Sequence, residues 1–273
     1  PVDKPFAPRA FQVTGKLRHS RPIEVENFKF VKSHTTRTPK QAMPSPTMLL
    51  RGGRGAVDTT AYPDMAEFHD DIARVYNEEL RQLGEAGCHY VQMDDTNFAY
   101  LCDPKFRETF QEWGYNPDEM PARSARLINA SIANRPKGMT VGIHICRSQD
   151  KNWQADIGYD PIADAIFNQM EIGTYFLEYD NPRSGTFDPL RFVPKDKTVV
   201  LGLVGSRTPE LESADLLKRR IEEAAKFCSL DQLALSPHYG FSTGIFMSKS
   251  DSINLEKAKL ARVVEVSRAV WGK

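Results

Sequence analysis

Residues 140–146 read Thr-Val-Gly-Ile-His-Ile-Cys, a short apolar segment that ends in two side chains able to bind a metal. Because alternate residues of a strand face the same side, His144 and Cys146 project together, whereas Ile143 and Ile145 face the opposite side. An imidazole and a thiolate are two of the ligands that a tetrahedral zinc ion requires. The same pattern also fits a buried cysteine beside a hydrogen-bonded histidine. The segment therefore predicts a buried strand with polar groups at its carboxyl end.

Similar apolar strands recur along the chain and alternate with amphipathic helices. The candidate strands lie near residues 11–17, 40–44, 89–94, 140–146, 174–179, 198–204 and 232–236. Alternation of apolar strands with helices is typical of a parallel sheet covered by helices. Polar residues follow the ends of these strands, and in a (β/α)8 barrel the strand ends converge on the active-site face. We predict a single α/β domain over residues 1–273, a (β/α)8 TIM barrel.

Two features bear on this fold prediction. A doubly wound open sheet is the alternative, but it usually carries a Gly-rich phosphate loop after its first strand, and the sequence has none. The barrel needs eight strands and the sequence offers seven candidates. Because the chain begins with Pro1 rather than Met, we expect the remaining strand, the first of the barrel, to lie before residue 1.

Composition excludes several classes of function. The 273 residues contain 36 basic and 36 acidic side chains, so the formal net charge is zero and gives no electrostatic case for binding nucleic acid or an anionic membrane. No apolar segment approaches the roughly 20 residues that cross a bilayer, and no secretory signal is recognisable. The four cysteines form no CxxC pair, which predicts a reduced, cytoplasmic protein. The sequence leaves open whether the protein forms a homo-oligomer.

Four strand ends together carry a family resemblance. They read Val-Gln-Met-Asp-Asp at 91–95, Val-Gly-Ile-His-Ile-Cys-Arg at 141–147, Phe-Leu-Glu-Tyr-Asp-Asn-Pro-Arg-Ser-Gly at 176–185 and Leu-Ala-Leu-Ser-Pro-His-Tyr-Gly-Phe at 233–241. In this order they resemble the catalytic barrel of cobalamin-independent methionine synthase, whose fold is also that of uroporphyrinogen decarboxylase. The resemblance is greatest to the short, single-barrel relatives and spans nearly the whole chain.

This resemblance implies an enzyme of methionine biosynthesis. Its members transfer a methyl or other alkyl group to a small thiol such as homocysteine, with zinc as the cofactor. Donors in related barrels include methylfolates and methylcobalamin, and the sequence does not select among them. His144, Cys146 and Glu178 match the first three zinc ligands of the family. Zinc lowers the pKa of a bound thiol, so that the nucleophile forms near neutral pH.

The resemblance also suggests the substrate contacts. Asp94 matches the aspartate that contacts the amino group of homocysteine. Asp95, which stands where the family usually has Glu, and Ser45 are further candidates. Arg183 is placed to grip a substrate carboxylate with both of its terminal nitrogens, although a salt bridge within its loop is an equal alternative.

The last strand departs from the family pattern. Residues 236–241 read Ser-Pro-His-Tyr-Gly-Phe where the relatives typically read Ser-Pro-Gln-Cys-Gly-Phe, so Tyr239 replaces the fourth ligand. A neutral phenol binds zinc poorly compared with a thiolate. His238 is a candidate replacement ligand, but neighbours on a strand face opposite sides, so we expect that the loop must turn to bring it to the metal.

Two other interpretations remain open. In the first, the barrel is a metal-free lyase or isomerase in which Tyr239 and His238 act as a general acid/base pair near Asp94. The alternative to this acid/base role is that Tyr239 only fills the space left by the metal and hydrogen-bonds to Glu178. In the second, the barrel binds a ligand or partner without catalysis.

Overall fold

The protein contains a parallel six-stranded sheet whose strands follow one another in sequence order. The computed structural model describes residues 12–147, 157–206, 208–238, 240–241 and 249–272. The strands are β1 (Gln41–Pro44), β2 (Tyr90–Asp95), β3 (Thr140–Ile145), β4 (Thr174–Glu178), β5 (Thr198–Val204) and β6 (Leu233–Pro237). Six of the predicted strands are therefore confirmed, each within one or two residues of its expected position.

Helices and short helical turns connect the strands and cover one face of the sheet. They are α1 (Val25–Ser33), α2 (Met65–Glu85), α3 (Asn97–Cys102), α4 (Pro104–Glu112), α5 (Met120–Ile132), α6 (Ala214–Ala224) and α7 (Lys249–Trp271). Asp64 caps α2 by accepting a hydrogen bond from the amide of Ala66, and Ser213 caps α6 in the same way through Leu216. Aspartate and serine are favoured at this position because their side chains accept from backbone amides that lack a partner within the helix.

Alternation along each strand separates the two faces of the sheet. In β2, Val91, Met93 and Asp95 are buried under the helices, whereas Gln92 and Asp94 face the interior of the barrel. The same period of two applies to the other strands. The interior face therefore collects one polar or small side chain from each strand end, and this places the site.

The predicted strand at residues 11–17 is wrong over the part that the structure describes. Val13 forms only an isolated parallel bridge to Val57. Its amide and carbonyl bond to Ala56 and Asp58, which belong to a loop and not to a strand. Without an extended neighbour the segment has no ladder to join.

Helix α1 is not among the elements predicted from the sequence. Only Val25 and Phe28 of this helix are buried, while Phe30 and Val31 are exposed. No side chain caps its amino end. With such a narrow apolar stripe and no cap, the sequence carries little helix signal here.

Among the helices that the structure describes, none is both long enough and apolar enough to cross a bilayer.

Candidate active site

The carboxyl ends of the strands surround a cavity of about 670 Å³. Asp94 of β2, His144 and Cys146 at the end of β3, Phe176 of β4 and His238 after β6 line it. These residues come from segments far apart in sequence. Parallel pairing aligns them, since Asp94 is the register partner of His144 and His144 is the register partner of Phe176.

His144, Cys146 and Glu178 form a compact donor set, which we call the first triad. One donor atom from each side chain lies within 4.8 Å of the others. His144 and Glu178 are buried, while Cys146 is partly exposed. The alternation that the sequence predicts for β3 accounts for His144 and Cys146 facing the same side, and β4 brings Glu178 to them.

Two carboxylates flank the imidazole of His144. Nδ1 lies 3.3 Å from Oδ1 of Asp94, and Nε2 lies 3.6 Å from Oε1 of Glu178. Burial by itself lowers the pKa of His144, but the interactions with Asp94 and Glu178 outweigh burial and raise the pKa to about 9. The imidazole therefore holds a proton at neutral pH unless another cation takes that place between the carboxylates.

Main-chain and aromatic contacts fix the position of Glu178. The backbone N–H of Arg147 donates to Oε1 at 2.9 Å. The hydroxyl of Tyr159 accepts from the backbone N–H of Glu178 at 2.9 Å, and the guanidinium of Arg147 stacks 4.4 Å from the centre of the Tyr159 ring. Burial raises the pKa of Glu178, but His144 and the Arg147 amide reverse that effect, so the net shift is downward. The carboxylate therefore stays ionised.

His238 lies on the other side of Glu178. Its Nε2 is 3.6 Å from Oδ2 of Asp180, and a nitrogen or oxygen from each of Glu178, Asp180 and His238 lies within 4.8 Å of the others. The backbone N–H of His238 bonds to the carbonyl of Val204 at 2.9 Å, past a shift in the β5–β6 register. His238 thus faces the cavity but groups with Asp180, and not with His144 and Cys146.

Two other predicted site residues, Asp94 and Asp95, face opposite sides of β2. Asp94 lines the cavity, and its side chain is 43% exposed. Asp95 points away under the helices, where its carboxylate accepts from the Thr47 hydroxyl and from the amide of Phe98. Successive residues of a strand face opposite sides, so Asp95 points away from the cavity that Asp94 faces. This placement corrects the expectation that Asp95 faces the substrate.

Two further candidates also lie outside the cavity lining. Ser45 is fully buried and caps the short helical turn at Pro46–Leu50 through the amide of Thr47. Arg183 is exposed in the turn at Pro182–Ser184. Tyr239 lies outside the described residues, so its predicted role stays a prediction.

Asp180 was missed as a site residue, although it stands two positions after Glu178 and follows the same alternation. Lys40 and Gln92 were missed as well. The ammonium group of Lys40 donates to Oε1 of Gln92 at 2.6 Å, and the Gln92 amide donates to Asp94 Oδ1 at 2.8 Å. This series of hydrogen bonds holds the carboxylate of Asp94 in position. The contact between Lys40 and Gln92 depends on the register between β1 and β2, which the sequence does not display.

Sequential parallel strands, an outer layer of helices and donor groups at the carboxyl strand ends define a TIM-barrel enzyme. At one point of its interior lie an imidazole, a thiol and a carboxylate, which are side chains of the types that bind transition metals.

The chain belongs to the cobalamin-independent methionine synthase family. The profile described as "Cobalamin-independent synthase, Catalytic domain" matches residues 8–262. Its relatives include the uncharacterized protein YxjH of Bacillus subtilis, which is 40% identical over 96% of this chain and 70% of its own length. The methionine synthase of Pyrococcus abyssi is 26% identical over 82% of this chain and 57% of its own length.

A solved structure agrees with this assignment. A Listeria monocytogenes protein assigned as a vitamin-B12-independent methionine synthase superposes with a TM-score of 0.74 at 30% identity. The match covers 96% of this chain and 74% of that protein. The TIM-barrel fold and the methyltransferase family predicted from the strand-end motifs are therefore confirmed.

Proposed function

We propose that the protein is a zinc-dependent transferase that moves a methyl or other alkyl group to a thiol such as homocysteine. The observation that carries this proposal is the first triad, in which His144, Cys146 and Glu178 converge within 4.8 Å at the wall of the cavity. The name of the Pyrococcus abyssi relative, methionine synthase, supports a reaction of this kind. We further propose a place in methionine biosynthesis within a reducing, cytoplasmic setting, which four widely spaced cysteines without a CxxC pair support.

The donor set fits zinc on chemical grounds. Zinc accepts nitrogen, sulfur and carboxylate oxygen together, and catalytic zinc sites commonly use three protein ligands with one exchangeable position. The 3.6 Å between His144 Nε2 and Glu178 Oε1 is too long for a hydrogen bond. It is close to the separation of about 3.4 Å between two ligands that each lie about 2.1 Å from a tetrahedral ion. When bound, zinc would act as a Lewis acid that keeps the substrate thiol ionised near neutral pH.

The remaining groups would orient the substrate. Asp94 presents a partly exposed carboxylate to the cavity, where it can accept hydrogen bonds from a substrate ammonium group. Lys40 and Gln92 hold that carboxylate from the opposite side. Phe176 supplies an apolar wall against which the carbon chain of a thiol amino acid can pack.

The metal-free alternative retains one supporting observation. His238 is buried beside Asp180, an arrangement that suits proton transfer. In that interpretation Tyr239 and His238 would catalyse a lyase or isomerase reaction as general acid and base. The first triad would then bind no metal.

Metal content and thiol alkylation together test the proposal. Protein purified with zinc supplied is analysed by mass spectrometry for metal, and methyl transfer to homocysteine is assayed with methylfolate and with methylcobalamin as donors. We expect at least about one zinc per chain, loss of zinc from His144→Ala and retention in the exposed control His34→Ala. Zinc-free wild-type protein would defeat the proposal. Activity that survives His144→Ala but not Tyr239→Phe would instead support the metal-free alternative.

A further inference from the structure

Lys40 is a basic residue of the cavity lining to which the proposed function assigns no contact with the substrate. It lies directly before β1, and its ammonium group donates to Oε1 of Gln92 at 2.6 Å. Over the part of the chain that the structure describes, no carboxylate lies within ion-pair distance of this ammonium group. A lysine carries three N–H donors, and the neutral amide of Gln92 uses one of them. Lys40 therefore keeps both charge and donors for a ligand in the cavity.

Aromatic contacts hold the ammonium group in place. Nζ of Lys40 lies 4.1 Å from the centre of the Phe176 ring and 5.7 Å from that of Tyr90, and both distances permit a cation–π interaction. Phe176 is the register partner of His144, so the ammonium group lies against the wall that also carries part of the first triad. Desolvation lowers the pKa of Lys40, and the charge of Asp94 opposes that effect. An anionic ligand would favour the charged form further.

Gln92 limits the distance between Lys40 and Asp94. Its amide oxygen accepts from Lys40 at 2.6 Å, and its amide nitrogen donates to Oδ1 of Asp94 at 2.8 Å. The oxygen and nitrogen of an amide are about 2.2 Å apart. The ammonium nitrogen and the carboxylate oxygen therefore lie no more than about 7.6 Å from each other. One amide thus holds a positive and a negative group at a restricted spacing in the cavity.

The charges and their spacing match an α-amino acid. Such a molecule places its ammonium nitrogen about 3 Å from its carboxylate oxygens. A charge-assisted hydrogen bond at each end adds about 2.8 Å, so one amino acid can reach from Asp94 to Lys40. Its side chain can continue to the first triad, because Oδ1 of Asp94 lies 3.3 Å from Nδ1 of His144.

We propose that Lys40 binds the carboxylate of an amino-acid substrate, while Asp94 binds its ammonium group and Gln92 fixes the distance between the two. The inference rests on the proposed function, which supplies the role of Asp94 and the position of the sulfur. A ligand without the carboxylate would leave the ammonium group of Lys40 without its anionic partner, and enzymes discriminate strongly against such ligands. Lys40 would therefore select α-amino acids over simple thiols and thioethers.

Calorimetric titration of the whole chain with methionine and two truncated analogues tests the inference. Methylthiopropylamine lacks the carboxylate of methionine, and methylthiobutanoate lacks its ammonium group. We expect the wild type to bind methionine about 10–100-fold more tightly than the amine, as a hydrogen bond between charged groups predicts. Lys40→Met should remove most of this preference, because it weakens the binding of methionine and of the butanoate but not that of the amine.

Three further variants sharpen this test. Lys40→Gln keeps an N–H donor without the charge and should behave like Lys40→Met, whereas Lys40→Arg keeps the charge and should retain most of the preference. The control is Lys226→Met, which removes an exposed lysine outside the cavity lining and should bind every ligand like the wild type. Circular dichroism of each variant shows whether it is folded.

Three results would overturn the inference. The first is a wild type that binds methionine no more tightly than the amine. The second is an equal loss of affinity for both ligands in Lys40→Met, which would mean that Lys40 acts only by holding Asp94. The third is a loss confined to a methylfolate, whose glutamate carboxylates are the other source of this chemistry.

The proposed function fails or stands separately from this inference. Methionine and its two analogues carry no free thiol, and their binding is measured without a methyl donor. Zinc-free protein that still prefers methionine to the amine would defeat the proposed function and leave the role of Lys40 intact.

Discussion

Asp94 Oδ1 lies 3.3 Å from Nδ1 of His144, and the two residues are register partners on neighbouring strands. A carboxylate in this position orients a metal-binding imidazole and increases its basicity. We expect Asp94→Asn to weaken zinc binding by about 10–100-fold, the usual cost of losing such a partner. Competition with a chromophoric chelator measures the affinity, with the exposed Asp118→Asn as control. Equal affinities would leave substrate binding as the remaining role of Asp94.

The four cysteines differ in their expected reactivity toward alkylating reagents. Cys88, Cys102 and Cys228 are buried, and burial raises the pKa of Cys102 to about 12 and that of Cys228 to about 11. Only the thiolate reacts, so these three thiols should remain unmodified in the folded protein near neutral pH. Cys146 is partly exposed in the cavity and should react first.

Peptide mapping after brief treatment with iodoacetamide checks this order. Added zinc should protect Cys146, because metal binding occupies its sulfur. Rapid modification of Cys102 before Cys146 would contradict the burial seen around these thiols.

A buried lysine connects α7 to the end of β5. Lys259 is fully buried, its ammonium group bonds to the Gly205 carbonyl, and it lies 3.3 Å from Glu212 Oε1. Breaking a buried ion pair by removing one partner costs about 3–5 kcal/mol. Because Glu212 keeps some exposure, we expect Lys259→Met to lower the free energy of unfolding by about 3 kcal/mol.

Urea unfolding measures this loss, and Lys218→Met is the matched control. Lys218 forms an exposed pair with Asp215 at 3.9 Å, and such pairs contribute about 0–1 kcal/mol. Comparable losses in the two variants would show that the burial of Lys259 is not what makes its pair important.

Gly202 permits close packing between β5 and His238. A Cβ atom at this position would lie 2.9 Å from the Cα of His238 and 2.9 Å from the carbonyl oxygen of Leu177. Both contacts involve backbone, so the neighbours cannot rotate away. We expect Gly202→Ala to destabilise the fold by about 1–3 kcal/mol, as overpacking usually does, because His238 and the Leu177 carbonyl must move.

Thermal unfolding of the variant and the wild type tests this effect. Gly173→Ala is the control, because a Cβ there meets nothing within 4 Å. If both alanine variants behave like the wild type, His238 is not held by contact with Gly202.

Because the pKa of His69 is lowered in the folded protein, we expect the protein to lose stability in mild acid. Burial, together with the charge of Arg123, lowers the pKa of His69 to about 4, and its Nε2 makes no hydrogen bond to any described residue. The unfolded chain takes up this proton at about pH 6.5, before the folded chain does. The stability contributed by neutral His69 is therefore complete above about pH 6.5 and is lost as the pH falls toward about 4.

Unfolding free energies at about pH 7 and pH 5 test this linkage. Because His69 is only partly buried, we expect His69→Gln to reduce the acid loss by about 1 kcal/mol, well below the full value of the pKa shift. Parallel pH profiles for variant and wild type would show that His69 titrates alike in both states.

Local patterns in the sequence were sufficient to predict six of the strands and to place the side chains of His144 and Cys146 together. The period of two in residues 140–146 places His144 and Cys146 on one face without any knowledge of their neighbours. The failures also have local causes. The segment at 11–17 alternates like a strand but has only a loop beside it, and α1 has a narrow apolar stripe that gives a weak helical signal.

The sequence by itself determined the parallel barrel, the donor atoms of the first triad and the family, because strand alternation and strand-end motifs are properties of short segments. Only the tertiary structure decided that Asp94 stands beside His144, that Asp95 is turned under the helices, and that His238 joins Asp180 across Glu178. These relationships depend on the register between strands that are distant in the chain. Register is set by the packing of whole strands against one another, so no short stretch of sequence contains it.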